Sequence, residues 1–466
     1  VLLNTSGRYI LNMIVLNIIL GLLGLGLVII IHELGHFTAA KIFGIKVEAF
    51  SVGWGKVLLR KTFRGTEYRL SLLPIGGYCK MKGEDFIRQT EDSQAEPVVP
   101  QPDSLFGVSS WKRGVTYFAG PFFNFVFSIL VISIIWFSGY TVYTLENKII
   151  LQSETIMAAA NEYPANIAGF ETGDRIVEID GHPVESFKDI EQYITPAAGE
   201  GLDVVVERQS GYVSLTVTPG LDPETGAGYI GIAAWVDPVI AKVAENSPAM
   251  QSGVQPGDRI SGINGVPVNN TLDLYEVLDA RPAEIELDLV REGITRTAVL
   301  PAVYSPEGDI DLGLSFAGVT LLERERNPFA ALKRGVQETF STLTLSIKSI
   351  ALLFKGVNLR SAVSGPIRIT YLVGEVASQG FNQGLARGLF IVFRFLSMLS
   401  VALCFMNLLP IPALDGGFII VSIAEIILRK QIRPKFFYRY QIIGFTILFA
   451  ILILTVFNDV FYLAGR

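Results

Sequence analysis

Four apolar runs, at about residues 11–31, 115–137, 385–411 and 442–457, dominate the chain. Each reads as a helix crossing a bilayer, which takes about 20 mostly apolar residues. Lipid offers backbone groups no hydrogen-bond partner, so a chain with such runs must form spanning helices there. Half of the 466 residues are apolar, which fits. The first run is long, and no small-residue cleavage site follows it, so it reads as a retained span rather than a signal peptide. A net charge of −6 gives no reason to expect nucleic acid as a partner. The two cysteines, Cys79 and Cys404, lie in a polar loop and an apolar run, a poor basis for a disulfide or a thiolate metal site.

Lys and Arg set the expected orientation. They recur between the first two runs, from Lys41 to Arg113, and between the last two as Arg429, Lys430, Arg433, Lys435 and Arg439, a stretch from 429 to 439 that holds no acid. Both loops are therefore expected in the cytoplasm, with the termini and the large middle region outside. Arg387 and Arg394 run against this rule, and Arg394 is read as snorkelling or facing protein.

The middle region repeats itself. "YPANIAGFETGDRIVEIDGHPV" from Tyr163 returns as "SPAMQSGVQPGDRISGINGVPV" from Ser247. Two copies imply two similar small domains rather than a solenoid. In each, a strand closes on an Asp-Gly or Asn-Gly turn, followed by a short helix and a strand pair. These segments resemble PDZ domains. Between the copies, Gly228, Tyr229, Ile230, Gly231 and Ile232 resemble a PDZ carboxylate-binding loop.

From Phe329 to Phe354, apolar residues step by three or four, predicting a helix packed on a domain or lying in the membrane interface. Between the first two runs, alternation around Arg64-Gly65 predicts a hairpin, with a further strand after Pro74, Gly76 and Gly77. Its outward apolar residues suit strands that dip toward the bilayer.

His32, Glu33 and His36 form H-E-x-x-H at the end of the first run. Residues four apart share a helix face, so both imidazoles reach one metal, and Glu33 beside them can take a proton from a metal-bound water. Polar residues that merely end a span are the plainer reading, but Glu and His at membrane depth are costly without a function. A hydrolytic zinc site usually has three protein ligands and one open position. His182, the only other histidine, sits in a repeat turn and reads as an exposed turn residue. Asp415, in "MNLLPIPALDGG", is the better third ligand, being on the same expected side as His32 and His36. Pro410 and Pro412 break the helix there, and Gly416 and Gly417 permit close backbone approach. Asn407 either satisfies carbonyls freed by the prolines or holds substrate or oxyanion.

H-E-x-x-H together with N-x-x-P-x-P-x-L-D-G resembles the site-2 intramembrane metalloproteases, and the likeness covers nearly the whole chain. It implies Zn2+ on His32, His36 and Asp415, catalysis by Glu33 and substrate clamping by Asn407. Gly120-Pro121 with Asn124, and Ser364-Gly365-Pro366, look like further family landmarks. Phe418 follows the double glycine where relatives carry histidine. The resemblance further implies cleavage of a single-span membrane protein of the anti-sigma factor type, after loss of its ectodomain, in an envelope stress response. Remnant signal peptides are a second substrate class. The chain is then placed in a bacterial inner membrane, with periplasmic PDZ domains and an active site open to the cytoplasm. An edge strand bearing Tyr68, Leu70, Leu72, Gly76 and Gly77 is expected to bind the unwound substrate by strand addition.

The expected architecture is a multi-pass α-helical membrane protein. It has four transmembrane helices, a membrane-associated β-rich loop and two extracytoplasmic PDZ (α+β) domains. The divisions are a first span at 1–42, the β-rich loop at 43–112, a second span at 113–140, and PDZ domains at 141–222 and 223–318. An amphipathic helical linker follows at 319–384, then a third span at 385–417, and a basic loop with the fourth span at 418–466. A receptor that merely presents two peptide-binding domains is the main rival. A transporter would call for inverted repeats in the spans, and the only repeat lies elsewhere.

Overall fold

A helix opens the chain and carries its first polar cluster. In the computed structural model, which describes residues 3–84, 101–154, 163–223, 225–302, 304, 310–353, 365–382, 384–432 and 434–464, helix α1 runs Leu3–Ile42 without a break. The His and Glu residues thus lie inside the helix, not at its end. The chain falls into two compact units: one holds the chain up to Tyr140 and resumes at Arg324, the other is Thr141–Glu323.

In the first unit, four helices among the described residues are long and apolar enough to cross a membrane: Leu16–Ile42, Ser110–Ser138, Leu385–Leu408 and Phe436–Val460. They belong to α1, α2 (Ser110–Ser138), α5 (Leu385–Leu408) and α7 (Pro434–Ala464). Helices α3 (Pro328–Leu353) and α4 (Pro366–Asn382) fill the expected linker, and both pack on spanning helices. On α3, Phe340 meets Phe125 of α2 with ring centroids 5.1 Å apart, and Glu338 accepts from Trp136 Nε1 at 2.8 Å. Glu338 also pairs with Arg394, so that charge faces protein.

Small residues let α4 approach α1. A Cβ on Gly21 would overlap the Thr370 carbonyl, and one on Gly24 would stand 2.8 Å from Val373. Asp459 of α7, fully buried, caps the start of α4. Its carboxylate accepts from Gly365 N at 2.8 Å and from Ile367 N and Arg368 N at 3.0 Å. This is the structural content of the Ser364-Gly365-Pro366 landmark, whose Ser364 lies outside the described residues, and the acid comes from 94 residues downstream.

After α1, the strands Val47–Phe63 (β1) and Thr66–Met81 (β2) join at the Arg64-Gly65 turn, where both residues have positive φ. Bulges bend them into a small sheet. Residues 49–52 face 67–70 on one side and 77–80 on the other, while 59–63 pair with 66–70. The expected edge strand is thereby divided. Tyr68 and Leu70 lie in a segment paired on both sides, and only the stretch through Gly77 to Met81 keeps an outer edge.

Residues after Asp415 depart from the expected loop: Asp415–Leu428 forms helix α6. Fourteen residues fall short of the roughly 20 that mark a span, so hydropathy alone missed it.

The second unit contains two copies of one α+β motif. Four-stranded sheets follow the orders His182–Pro183, Arg175–Ile179, Leu202–Arg208, Gly211–Val217 and Val266–Pro267, Arg259–Ile263, Glu284–Arg291, Ile294–Pro301. Capping boxes start the helices Phe187–Ile194 and Thr271–Asp279. The repeated Gly-Asp has a shared role. Asp174 takes Arg208 Nε at 2.6 Å and Glu171 N at 2.9 Å, and Asp258 takes Arg291 Nε at 2.5 Å and Gln255 N at 2.8 Å.

The boundary between copies is later than 222. Ile230 and Ile232 join the first copy's core, and Ile232–Ala234 pairs with Ile149–Leu151. The stretch Gly228–Ile232 therefore closes the first copy rather than opening the second. Leu312–Phe316 closes the second in the same manner: Ala165 N donates to Ile230 O at 2.8 Å, and Ala249 N to Leu312 O at 3.3 Å. The return of a late strand to pair with the first strand of its own copy is invisible in the repeated sequence, which covers only the middle of each copy.

Candidate active site

Helical periodicity on α1 and α2 builds most of the site. His32 and His36 lie one turn apart on α1, both buried. Thr116, Gly120 and Asn124 follow the same four-residue step on α2 and face them. The Thr116 carbonyl lies 2.8 Å from His36 Nδ1, and the Asn124 amide nitrogen lies 3.2 Å from His32 Nδ1. The helices cross closely because Gly35 packs on Ala119 and Gly120 packs on both imidazoles. A Cβ on Gly120 would overlap His36 Nε2 and stand 2.8 Å from His32 Cε1.

Asp415 arrives from the other side. Pro410 and Pro412 cannot continue α5, and Ala413 adopts φ 74°, a left-handed conformation costing about 1–3 kcal/mol. The turn folds back onto the first turn of α6, where side chains on Gly416 or Gly417 would overlap its carbonyls. Asp415 is then the first residue of α6. Phe418, one turn later, stacks on Tyr117 of α2 at 4.7 Å, so it packs α6 against α2 where a histidine would have offered polarity.

At the other end of α6, buried Glu425 pairs with buried Arg113. It also accepts from Ser110 Oγ at 2.7 Å and Ile432 N at 3.0 Å. Arg113 precedes Thr116 by one turn, so this pair fixes α6 to the helix that orients His36. The sequence does not single them out as a pair: Arg113 counts there only toward the basic loop, and an acid in an apolar helix looks ordinary until the two meet.

The three ligand atoms converge. His32 Nε2 lies 3.1 Å from His36 Nε2, and Asp415 Oδ2 lies 3.0 Å and 3.5 Å from the two nitrogens. Ligands held about 2.0–2.1 Å from a tetrahedral zinc ion stand about 3.3 Å from one another. Asp415 Oδ2 is also a buried oxygen without a hydrogen bond. Donor set, spacing and orphaned oxygen all fit a divalent metal of the zinc type.

Glu33 sits one residue along from His32, and its Oε2 accepts from Cys79 N at 3.0 Å. The outer edge of the Gly77–Met81 segment thus faces the proposed catalytic acid-base. Gly76 and Gly77 make this approach possible: Gly76 has φ 100°, and its Cβ would stand 2.9 Å from Ile29. Leu72 is exposed, and Tyr68 lies edge-on to Phe37 at 6.0 Å. Asn407 is half-buried in the last turn of α5. His182, in the second unit, stacks on Tyr193 at 5.3 Å.

An apolar helix gains nothing from two imidazoles aimed at a carboxylate unless an ion joins them. A second carboxylate, that of Glu33, stands beside the cluster. The fold and site define a membrane-embedded metalloprotease. The chain belongs to peptidase family M50, the site-2 metalloproteases, whose family model matches residues 20–451.

The chain is 36% identical over 449 residues to a provisionally named zinc metalloprotease of Treponema pallidum, covering 96% of this chain and 99% of that protein. It is 32% identical over 451 residues to another of that description from Borreliella burgdorferi, covering 95% and 98%. It is 29% identical over 473 residues to the regulator of sigma-E protease RseP of Salmonella typhimurium, covering 95% and 98%. Among solved structures, the PDZ domain of an SdrC-like protein from Listeria monocytogenes is similar over 18% of this chain and 92% of that one, at 12% identity and a TM-score of 0.16.

Proposed function

We propose that this protein cleaves a peptide bond within the membrane-spanning segment of a single-span protein, of the anti-sigma factor type, once that substrate has lost its external domain. The observation that carries this reading is the meeting of His32, His36 and Asp415, whose ligand atoms all lie within 4.8 Å of one another, beside Glu33. Those three residues would hold Zn2+. When bound, the ion polarises the scissile carbonyl and brings the pKa of its water to about 7.

The remaining chemistry belongs to the chain. Cys79 N–H fixes one oxygen of Glu33 and leaves the other to take a proton from the attacking water. Glu33 then passes that proton to the leaving amine. The Asn407 amide donates to the substrate carbonyl as charge develops on it. A helical substrate hides its amides in its own hydrogen bonds, so it must unwind first. The outer edge of Gly77–Met81, whose Cys79 N–H donates to Glu33 and whose Met81 N–H donates to Glu84 Oε1 at 3.0 Å, receives the unwound strand through its remaining backbone groups, with Gly76, Gly77 and Leu72 beside it and Tyr68 and Leu70 supporting the sheet behind.

The two repeated domains act outside the cytoplasm as PDZ domains that exclude substrates with a folded ectodomain. Gly228, Tyr229, Ile230, Gly231 and Ile232 are our candidate loop for a newly made C-terminus, with the Gly228 N–H already donated to Thr195 O at 2.7 Å. The Lys and Arg asymmetry supports an active site open to the cytoplasm and location in a bacterial inner membrane. Remnant signal peptides fit the same cleft, being short apolar helices without an external domain.

The test is cleavage of a single-span substrate carrying either a short or a long external part, by the wild type and by Glu33→Gln. Cleavage of the short form by the wild type alone supports the whole reading. Equal cleavage of both forms removes the filter, and unchanged cleavage by Glu33→Gln removes the enzyme mechanism.

A further inference from the structure

Resting on the metal site proposed above, we infer that Asn124 is a positioning residue that fixes which nitrogen of His32 faces the metal. An imidazole that ligates through Nε2 must carry its proton on Nδ1, and that proton needs an acceptor. His36 meets this demand plainly. Its Nδ1 lies 2.8 Å from the Thr116 carbonyl, which can only accept, so its Nε2 is left with a lone pair.

For His32, the group in the corresponding place is the Asn124 side chain, 3.2 Å from Nδ1 and four residues before Ser128 on the same face of α2. Asn124 is fully buried, and its Oδ1 has no hydrogen-bond partner. The oxygen and nitrogen ends of an amide have the same shape, and the network decides which faces which partner. Turning this amide by half a revolution brings the orphaned oxygen onto the His32 Nδ1–H. Both imidazoles then donate through Nδ1 to α2 and present Nε2 to Asp415.

The surroundings hold Asn124 for this task. Ser400 Oγ of α5 donates to its backbone carbonyl at 3.0 Å. Gly120, one turn back, lets the His32 ring lie flat enough against α2 for Nδ1 to reach the amide. The third residue of that stripe thus serves as an orienting acceptor, delivered by a side chain where Thr116 uses its backbone.

The experiment measures zinc affinity of the full chain in detergent by chelator competition, for the wild type, Asn124→Leu and Asn124→Asp, together with nitrogen NMR of His32 in the zinc-loaded protein. Loss of an orienting partner weakens metal binding about 10–100-fold. Asn124→Leu is expected to lose that much. Asn124→Asp, which keeps an acceptor in the same place, is expected to bind at least as tightly as the wild type. The wild-type His32 signals are expected to show the proton on Nδ1.

Equal affinity in the leucine and wild-type proteins would overturn the inference, as would a His32 proton on Nε2 with Nδ1 ligating. Should the leucine variant not fold, a weaker metal site in Asn124→Asp overturns it alone. A wild type that binds no zinc would instead strike the metal site itself, so the two failures are distinguishable.

Discussion

Gly120 lies directly against His36, with no room for a methyl group between α2 and the imidazole. Gly120→Ala therefore opposes two effects of known sign. Alanine favours helix by about 1 kcal/mol over glycine. The added carbon must also push the His36 ring off its position, and a shift of about 1 Å at a reacting centre costs about 100-fold in rate. The expected outcome is cleavage reduced about 100-fold, with metal binding weakened. A variant that cleaves at the wild-type rate would show that the crossing is looser than described.

Arg113 and Glu425 form a buried pair that joins α2 to α6. Removing one partner strands the other charge, at a cost of about 3–5 kcal/mol, whereas apolar replacement of both is often neutral. Glu425→Leu should thus lower thermal stability strongly, and Arg113→Met with Glu425→Leu should recover most of it. Ser110 Oγ and Ile432 N also bond to Glu425, so the recovery should be incomplete. Full additivity of the two losses would argue against a direct pair.

Asp459 satisfies three backbone N–H groups at the start of α4. Each group left buried without a partner costs about 1–3 kcal/mol. Asp459→Leu should therefore fray the first turn of α4, read as faster amide exchange at Ile367 and Arg368 than in the wild type. Exchange that stays slow would mean the cap is dispensable.

The clustering of His32 and His36 with Asp415 was legible in the sequence because two rare residues at helical spacing, and an acid beside broken helix, have few other uses in an apolar chain. The groups that aim them were not. Thr116 acts through its backbone, which no side-chain pattern reports, and Asn124 stood out only as a landmark without a task. Asp459 and Glu425 were overlooked because each is a single acid in an apolar run, whose partner lies far away in sequence. The PDZ-like repeat was plain, but its boundary was not, since the strand that completes each copy comes after the repeated stretch.

Asp258 in the second copy gives a pH prediction. Its hydrogen bond from Arg291 holds its carboxyl below the usual carboxylate range. A depressed folded-state pKa means the pair contributes its full stability above the unfolded value, about 3.9, and loses it as pH falls through the lower folded value. Limited proteolysis of the full chain should show the second copy opening below about pH 4. Asp258→Asn, which lacks that titration, should be less stable at neutral pH and flatter across the acid range. An identical acid profile in both proteins would contradict the assignment.

Metal content of the purified full chain tests the account most directly. One zinc ion per chain is expected in the wild type and in Glu33→Gln, with near-complete loss in His32→Ala, His36→Ala and Asp415→Ala. An Asp415→Ala protein that retained the metal at wild-type affinity would contradict the claim that α1 and the start of α6 close around one ion.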